Sequence, residues 1–113
     1  MTDRSAKYWS DILVAIEEIR AFVVGVDTLN AYVRDLKTKR AVERSLAIIG
    51  EAMNLLTKLD PDLKVPSARA IVGMRNRLIH SYDNVDDKIV WEVVRVDLPE
   101  LEAVALKHLP TIE

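Results

Sequence analysis

The 113 residues include no cysteine, which excludes disulfide staples and thiolate metal sites. Glycine occurs three times and proline four times, and alternating β-branched runs are rare, so a strand-rich fold is excluded. There is no apolar run of about 18 residues, the length a membrane span requires. The opening MTDRSAKYWSD carries acids and no apolar segment, so it does not read as a secretory signal. Together with the missing cysteines, that points to the cytoplasm. Basic excess is absent too: 16 Lys and Arg against 18 Asp and Glu leave a net charge of −2. Such a body has no bulk electrostatic grip on a long nucleic-acid duplex.

Half the residues are hydrophobic and 30% are charged, a globular composition, and the length fits one domain spanning residues 1–113. Thr2 is placed to cap a first helix whose stripe Trp9, Ile12, Ile16, Ile19, Val23 steps by three and four and faces a core. Gly25 ends it, and Asp27 is placed to cap a short segment through Leu36. A long helix from about Lys39 to Leu59 stops at Asp60-Pro61. Its apolar residues exceed one stripe, so it is either central in a bundle or also packed on another subunit. Gly50 inside it costs about 1 kcal/mol against Ala, a penalty explained by close helix approach. Pro66 opens the next helix. Asp86 caps the last, with Ile89, Val90, Val93 and Val96 inward. Leu98-Pro99 interrupts that pattern, and Asp97 with Glu100 has the spacing of a capping box, so a kink or a fifth helix starts there. The expected architecture is an all-α antiparallel bundle of four to five helices.

The stretch MRNRLIHSYDNVD, Met74 to Asp86, concentrates polar chemistry in a few turns. From Leu63 to Tyr82 there are four cations (Lys64, Arg69, Arg75, Arg77) and no acid, a local positive site suited to one or two phosphates. On a wheel of about 100° per residue, Ile71, Val72, Leu78, Ile79 and the Tyr82 ring share one side, and Asn76, Arg77 and His80 the other. Arg75 is the misfit, projecting from the apolar side. A guanidinium never deprotonates, so there it needs an anion, carbonyls or a water-filled cleft. Arg75 and His80 also diverge by about 140°. For them to meet, either the helix unwinds near residues 79–81 or a second copy completes the pair. The surplus apolar face of the long helix makes a homodimer the expectation.

Histidine takes up and returns protons near neutral pH, and the arginine fork matches phosphate oxygens. Together they suffice, without a metal or cofactor, for RNA cleavage by its own 2′-hydroxyl. Taken singly, a His near a helix end is more often a capping residue, Tyr82 a packing aromatic and Arg77 a solvated charge. His108 has no paired ligand spacing, and no P-loop, Rossmann glycine pattern or nucleophile elbow is present.

The spacing Arg75-x4-His80-x-Tyr82 resembles the R-x4-H-x-Y motif of HEPN-domain ribonucleases, specifically the HepT-like toxins. AVERSLAIIGEAMNLL from Ala41, IVGMRNRLIHSYDNVD from Ile71 and VWEVVRVDLPEL from Val90 look like the same family. The resemblance implies a HEPN-like homodimer with two motifs facing a shared cleft. It implies Arg75 and His80 as the catalytic pair, and Asn76 as the polar residue beside that Arg; Asn76 and Arg77 are the expected substrate contacts. It also implies a toxin–antitoxin pair, in which an MntA-like nucleotidyltransferase antitoxin attaches AMP to Tyr82. The alternative is a non-catalytic HEPN module that docks a nucleotidyltransferase and binds nucleotide phosphates.

Overall fold

The structure, a computed structural model, describes residues 3–80 and 85–109. Every regular element among them is helical: α1 (Asp3–Phe22), α2 (Leu29–Val33), α3 (Leu36–Leu59), α4 (Ala68–His80), α5 (Asp87–Glu92) and α6 (Leu98–His108). A π-helical turn over Val93–Asp97 fuses α5 to α6, so the described residues form five helical rods. That agrees with the expected all-α bundle. None of these helices is long and apolar enough to cross a membrane.

Helix α3 lies between α1 and α4, and α6 closes the other side of α1. The start of α1 (Ser5, Trp9) meets the ends of α3 (Leu56, Asp60) and α6 (His108), so both neighbours run antiparallel to α1. The core is built from the faces the periodicity indicated. Trp9, Ile12, Ile16 and Ile19 of α1 are buried against Val42, Leu46, Ile49, Met53 and Leu56 of α3. Val23 falls past the end of α1 and is half-buried. Gly25 terminates that region with φ of 82°, a left-handed conformation that only glycine adopts without strain.

Several boundaries differ from the sequence reading. The α2 cap is Thr28, whose hydroxyl accepts from the Ala31 amide, and Asp27 is not used. Asp35 caps α3 by accepting from the Thr38 amide at 3.1 Å, which starts the helix at Leu36 rather than Lys39. The charged KTKR run that weakens the apolar pattern is therefore the first turns of α3, with Lys37 and Arg40 exposed and Lys39 paired to Asp87 at 2.7 Å. Thr2 lies outside the described residues. Asp86 does cap α5, accepting from the Lys88 amide at 2.9 Å.

At residues 93–99 the helix continues through a π turn, without a capping box. Asp97 keeps helical backbone angles and makes no cap hydrogen bond. Pro99 has no N–H and its ring crowds the carbonyl one turn back, so the ladder widens; the Leu98 amide bonds to the Val93 carbonyl, five residues earlier. The extra residue rotates the face. Val96 is consequently 56% exposed instead of inward, while Leu98, Leu101 and Ala105 take over the core contact.

This packing carries a pH signature. Burial, reinforced by Glu100 and Glu92, pushes the Asp97 carboxyl above its ordinary range. The folded state therefore holds that proton more tightly than the unfolded one, and stability falls as pH rises through the carboxylate range toward neutrality. Asp97→Asn removes no cap and is expected to raise Tm near neutral pH, with the gain shrinking in mild acid. Thermal unfolding followed by circular dichroism checks this; an equal Tm difference at both pH values would contradict it.

Candidate active site

The segment of interest is α4, and Gly50 sets how closely α4 approaches α3. A Cβ at Gly50 would lie 2.2 Å from Arg75 Cβ, 2.9 Å from its Cγ and 3.1 Å from the Ile71 carbonyl oxygen. Only a bare backbone fits. The helix-propensity cost of this glycine thus pays for a contact that seats the stem of Arg75 directly on α3.

Beyond that contact, the Arg75 guanidinium meets the anion its position requires. Its Nη2 stands 2.6 Å from Glu51 Oε2, one residue past Gly50, with Arg75 side-chain exposure of 23%. Its Nη1 donates to Asn76 Oδ1 at 3.1 Å. The Glu51 contact is an ion pair without aligned hydrogen-bond geometry, since neither Glu51 Oε2 nor the buried Arg75 Nε has a hydrogen-bond partner. The Nη N–H groups beyond the Asn76 bond can meet an incoming anion, whereas the buried Nε cannot.

Arg75 forms part of the wall of a groove of about 380 Å³ with Tyr8 and Asp11 of α1, Arg44, Ile48, Glu51 and Leu55 of α3, and Ile79 of α4. Ile48 and Ile79 are 42% and 45% exposed on it. Leu55 is half-buried there and Leu59, further along α3, is exposed. This is the second apolar stripe seen in the α3 sequence, and its side chains face solvent within one copy.

Helix α4 is unbroken through His80, so within the described residues the helix does not unwind before that position. His80 is its exposed last residue and does not line the Arg75 groove. Three successive residues open onto three different grooves: Arg75 as above, Asn76 beside Asn54 and Arg69, and Arg77 beside Glu92 and Asp97. One chain therefore does not gather Arg75, Arg77 and His80. Ser81 and Tyr82, and with them the proposed AMP acceptor, lie outside the described residues. His108 stacks on Trp9 with ring centroids 4.6 Å apart, a packing role that locks α6 to α1. Among the described residues there is no cluster of His, Cys, Asp or Glu able to hold a metal ion.

Sequence reasoning missed Glu51. Its only signal was adjacency to Gly50 on a helix with two apolar faces, and nothing along the chain ties residue 51 to residue 75.

The described residues thus form an antiparallel helical bundle with an arginine buried to the base of its fork, on a helix ending R-x4-H. The chain belongs to the HepT-like family: the sequence model described as “Ribonuclease HepT-like” matches residues 12–107. Among its relatives is a candidate RNase of Caldanaerobacter subterraneus subsp. tengcongensis, 40% identical over 97 residues, covering 84% of this chain and 85% of the relative. A Thermococcus cleftensis protein named “Probable ribonuclease HepT” is 37% identical over 99 residues, covering 84% and 86%. A candidate RNase of Methanocaldococcus jannaschii is 32% identical over 105 residues, covering 90% and 94%. No solved structure matches the chain.

Proposed function

We propose that this protein is an endoribonuclease that cuts RNA without a metal ion, using Arg75 and His80 in a cleft between two copies. The observation that carries the reading is the seating of Arg75. Gly50, Glu51 and Asn76 fix a permanent cation at the wall of a groove whose rim is exposed and apolar. A second copy laid on Ile48, Leu55, Leu59 and Ile79 would bury that rim and bring the partner's α4 alongside.

The chemistry then follows. His80 removes the proton from the RNA 2′-hydroxyl or delivers one to the departing 5′-oxygen. The 2′-oxygen bonds to phosphorus and the P–O5′ bond breaks, leaving a cyclic phosphate and a free 5′-hydroxyl. Arg75 stabilises the charge that builds on the non-bridging oxygens. Asn76 orients the guanidinium, and Arg77 meets the RNA at a neighbouring phosphate. The protein acts as the toxin of a toxin–antitoxin pair, and its cognate MntA-like nucleotidyltransferase silences it by AMP transfer to Tyr82. The added phosphate and bulk, two residues from His80, would compete with RNA for Arg75.

A second reading rests on Glu51. Because that carboxylate already neutralises Arg75, the groove could serve a non-catalytic module that docks a nucleotidyltransferase. Incubation of the purified protein with RNA in EDTA separates the two. Cleavage that persists in EDTA supports the enzyme, and intact RNA supports the module. For the antitoxin step, co-expression with the nucleotidyltransferase is expected to raise the intact mass by one or more AMP units. A rise that persists in Tyr82→Phe would remove Tyr82 as acceptor.

A further inference from the structure

On the flank of α4 away from the Arg75 groove, Asn54 of α3 and Arg69, Val72, Gly73 and Asn76 of α4 border a second groove of about 410 Å³. No carboxylate lines it, whereas the Arg75 groove carries Asp11 and Glu51; Arg69 and Gly73 also border the Arg77 groove, which carries Glu92 and Asp97, but neither acid forms an ion pair with Arg69. Arg69 is exposed, and its side chain has no ion-pair or hydrogen-bond partner among the described residues. Among the described residues the half-buried Asn54 side chain makes no hydrogen bond, and Thr57 Oγ1 donates to its backbone oxygen at 2.8 Å. Over Gly73 a Cβ would meet nothing within 4 Å, so the floor is open backbone. Asn76 bridges the two grooves: its Oδ1 accepts from Arg75, which leaves its NH2 group for the second groove.

We infer that this groove binds the nucleotide of single-stranded RNA adjoining the scissile phosphate, with Arg69 on its phosphate and the two amides on the edge of its base. The inference rests on the ribonuclease reading and extends it to a substrate subsite. A guanidinium that no carboxylate holds in an ion pair takes a phosphate. Residues 69 and 76 are seven apart, about 10 Å along the helix axis, within reach of one extended nucleotide. Val72 and the bare Gly73 backbone offer the base a flat apolar surface. A carboxamide places a donor beside an acceptor, the pattern that adenine complements. An unpaired base in a single strand exposes that edge.

The test uses oligoribonucleotides that differ only in the base beside the cut, followed by cleavage kinetics and by fluorescence anisotropy of the labelled strand. Arg69→Ala is expected to weaken binding about tenfold for every base and to lower the slope of affinity against salt by about one, as loss of a phosphate contact does. Asn54→Ala is expected to flatten the preference for adenine by about tenfold. Alanine favours helix, so neither variant should lower Tm. Arg34→Ala removes the same charge far from the groove and controls for net charge. If both variants match the wild type in affinity, salt slope and base preference, the subsite is overturned and the groove is left to a protein partner. A wild type that fails to bind RNA overturns it as well. A wild type that binds but does not cut, with binding weakened by Arg69→Ala, sinks the ribonuclease reading and keeps the subsite.

Discussion

Arg75→Ala is expected to slow RNA cleavage by about 10³-fold, in the range found when a group that stabilises transition-state charge is removed. His80→Ala should lose about 10²–10⁴-fold through the missing proton transfer. The two losses differ in kind. Arg75→Lys keeps the positive charge but lacks the planar fork, so it should recover little of the rate. Neither alanine variant should unfold the protein. His80 is an exposed helix end, and Glu51 is already 44% exposed with Arg75 in place, so removing the Arg75 side chain that covers its Oε2 lets water solvate the orphaned carboxylate. Single-turnover cleavage in EDTA, with Tm measured alongside, checks this. Wild-type rates in either variant would remove that residue from the mechanism.

The second large effect concerns a residue with no functional group. Gly50→Ala gains about 1 kcal/mol of helix propensity. Against that, the new Cβ lands 2.2 Å from Arg75 Cβ and 3.1 Å from a backbone carbonyl, neither of which is the free end of a flexible side chain. Helices α3 and α4 must separate, at a cost of about 1–3 kcal/mol or more. The expected net result is a lower Tm, lower still for Gly50→Val. Cleavage should fall further than stability does, because separating the helices carries the Arg75 stem away from Glu51. Gly73→Ala provides the contrast on the facing helix. Its Cβ would meet nothing within 4 Å, so the same chemical change there should stabilise by about 0.5–1 kcal/mol. Equal Tm shifts for the two glycines would contradict the close-approach account.

These contrasts mark what the sequence can and cannot disclose. Helix type and the core faces were legible because Trp9, Ile12, Ile16 and Ile19, and Leu46, Ile49, Met53 and Leu56, repeat at the helical period. The cost of Gly50 was legible as a close approach, but its target was not. Tertiary partners such as Gly50 with Arg75 and Glu51 with Arg75 leave no periodic trace. The misplaced start of α3 has a local cause, since Asp35 caps a turn of charged residues that resembles a loop in composition. Val96 was misassigned because the π turn inserts a residue into the phase, which a fixed 3.6-residue wheel cannot anticipate. The divergence of Arg75 from His80, by contrast, is pure helix geometry. It persists in the folded chain because α4 stays helical through His80.

Subunit mixing bears most directly on the central claim, that a fork and an imidazole carried by different copies act on the same RNA phosphate. Arg75→Ala and His80→Ala proteins, each inactive alone, are refolded together so that mixed dimers form. Random pairing with one intact composite cleft per mixed dimer predicts recovery of about a quarter of the wild-type rate. Mixed dimers that are demonstrably formed yet cleave no faster than either parent would contradict it.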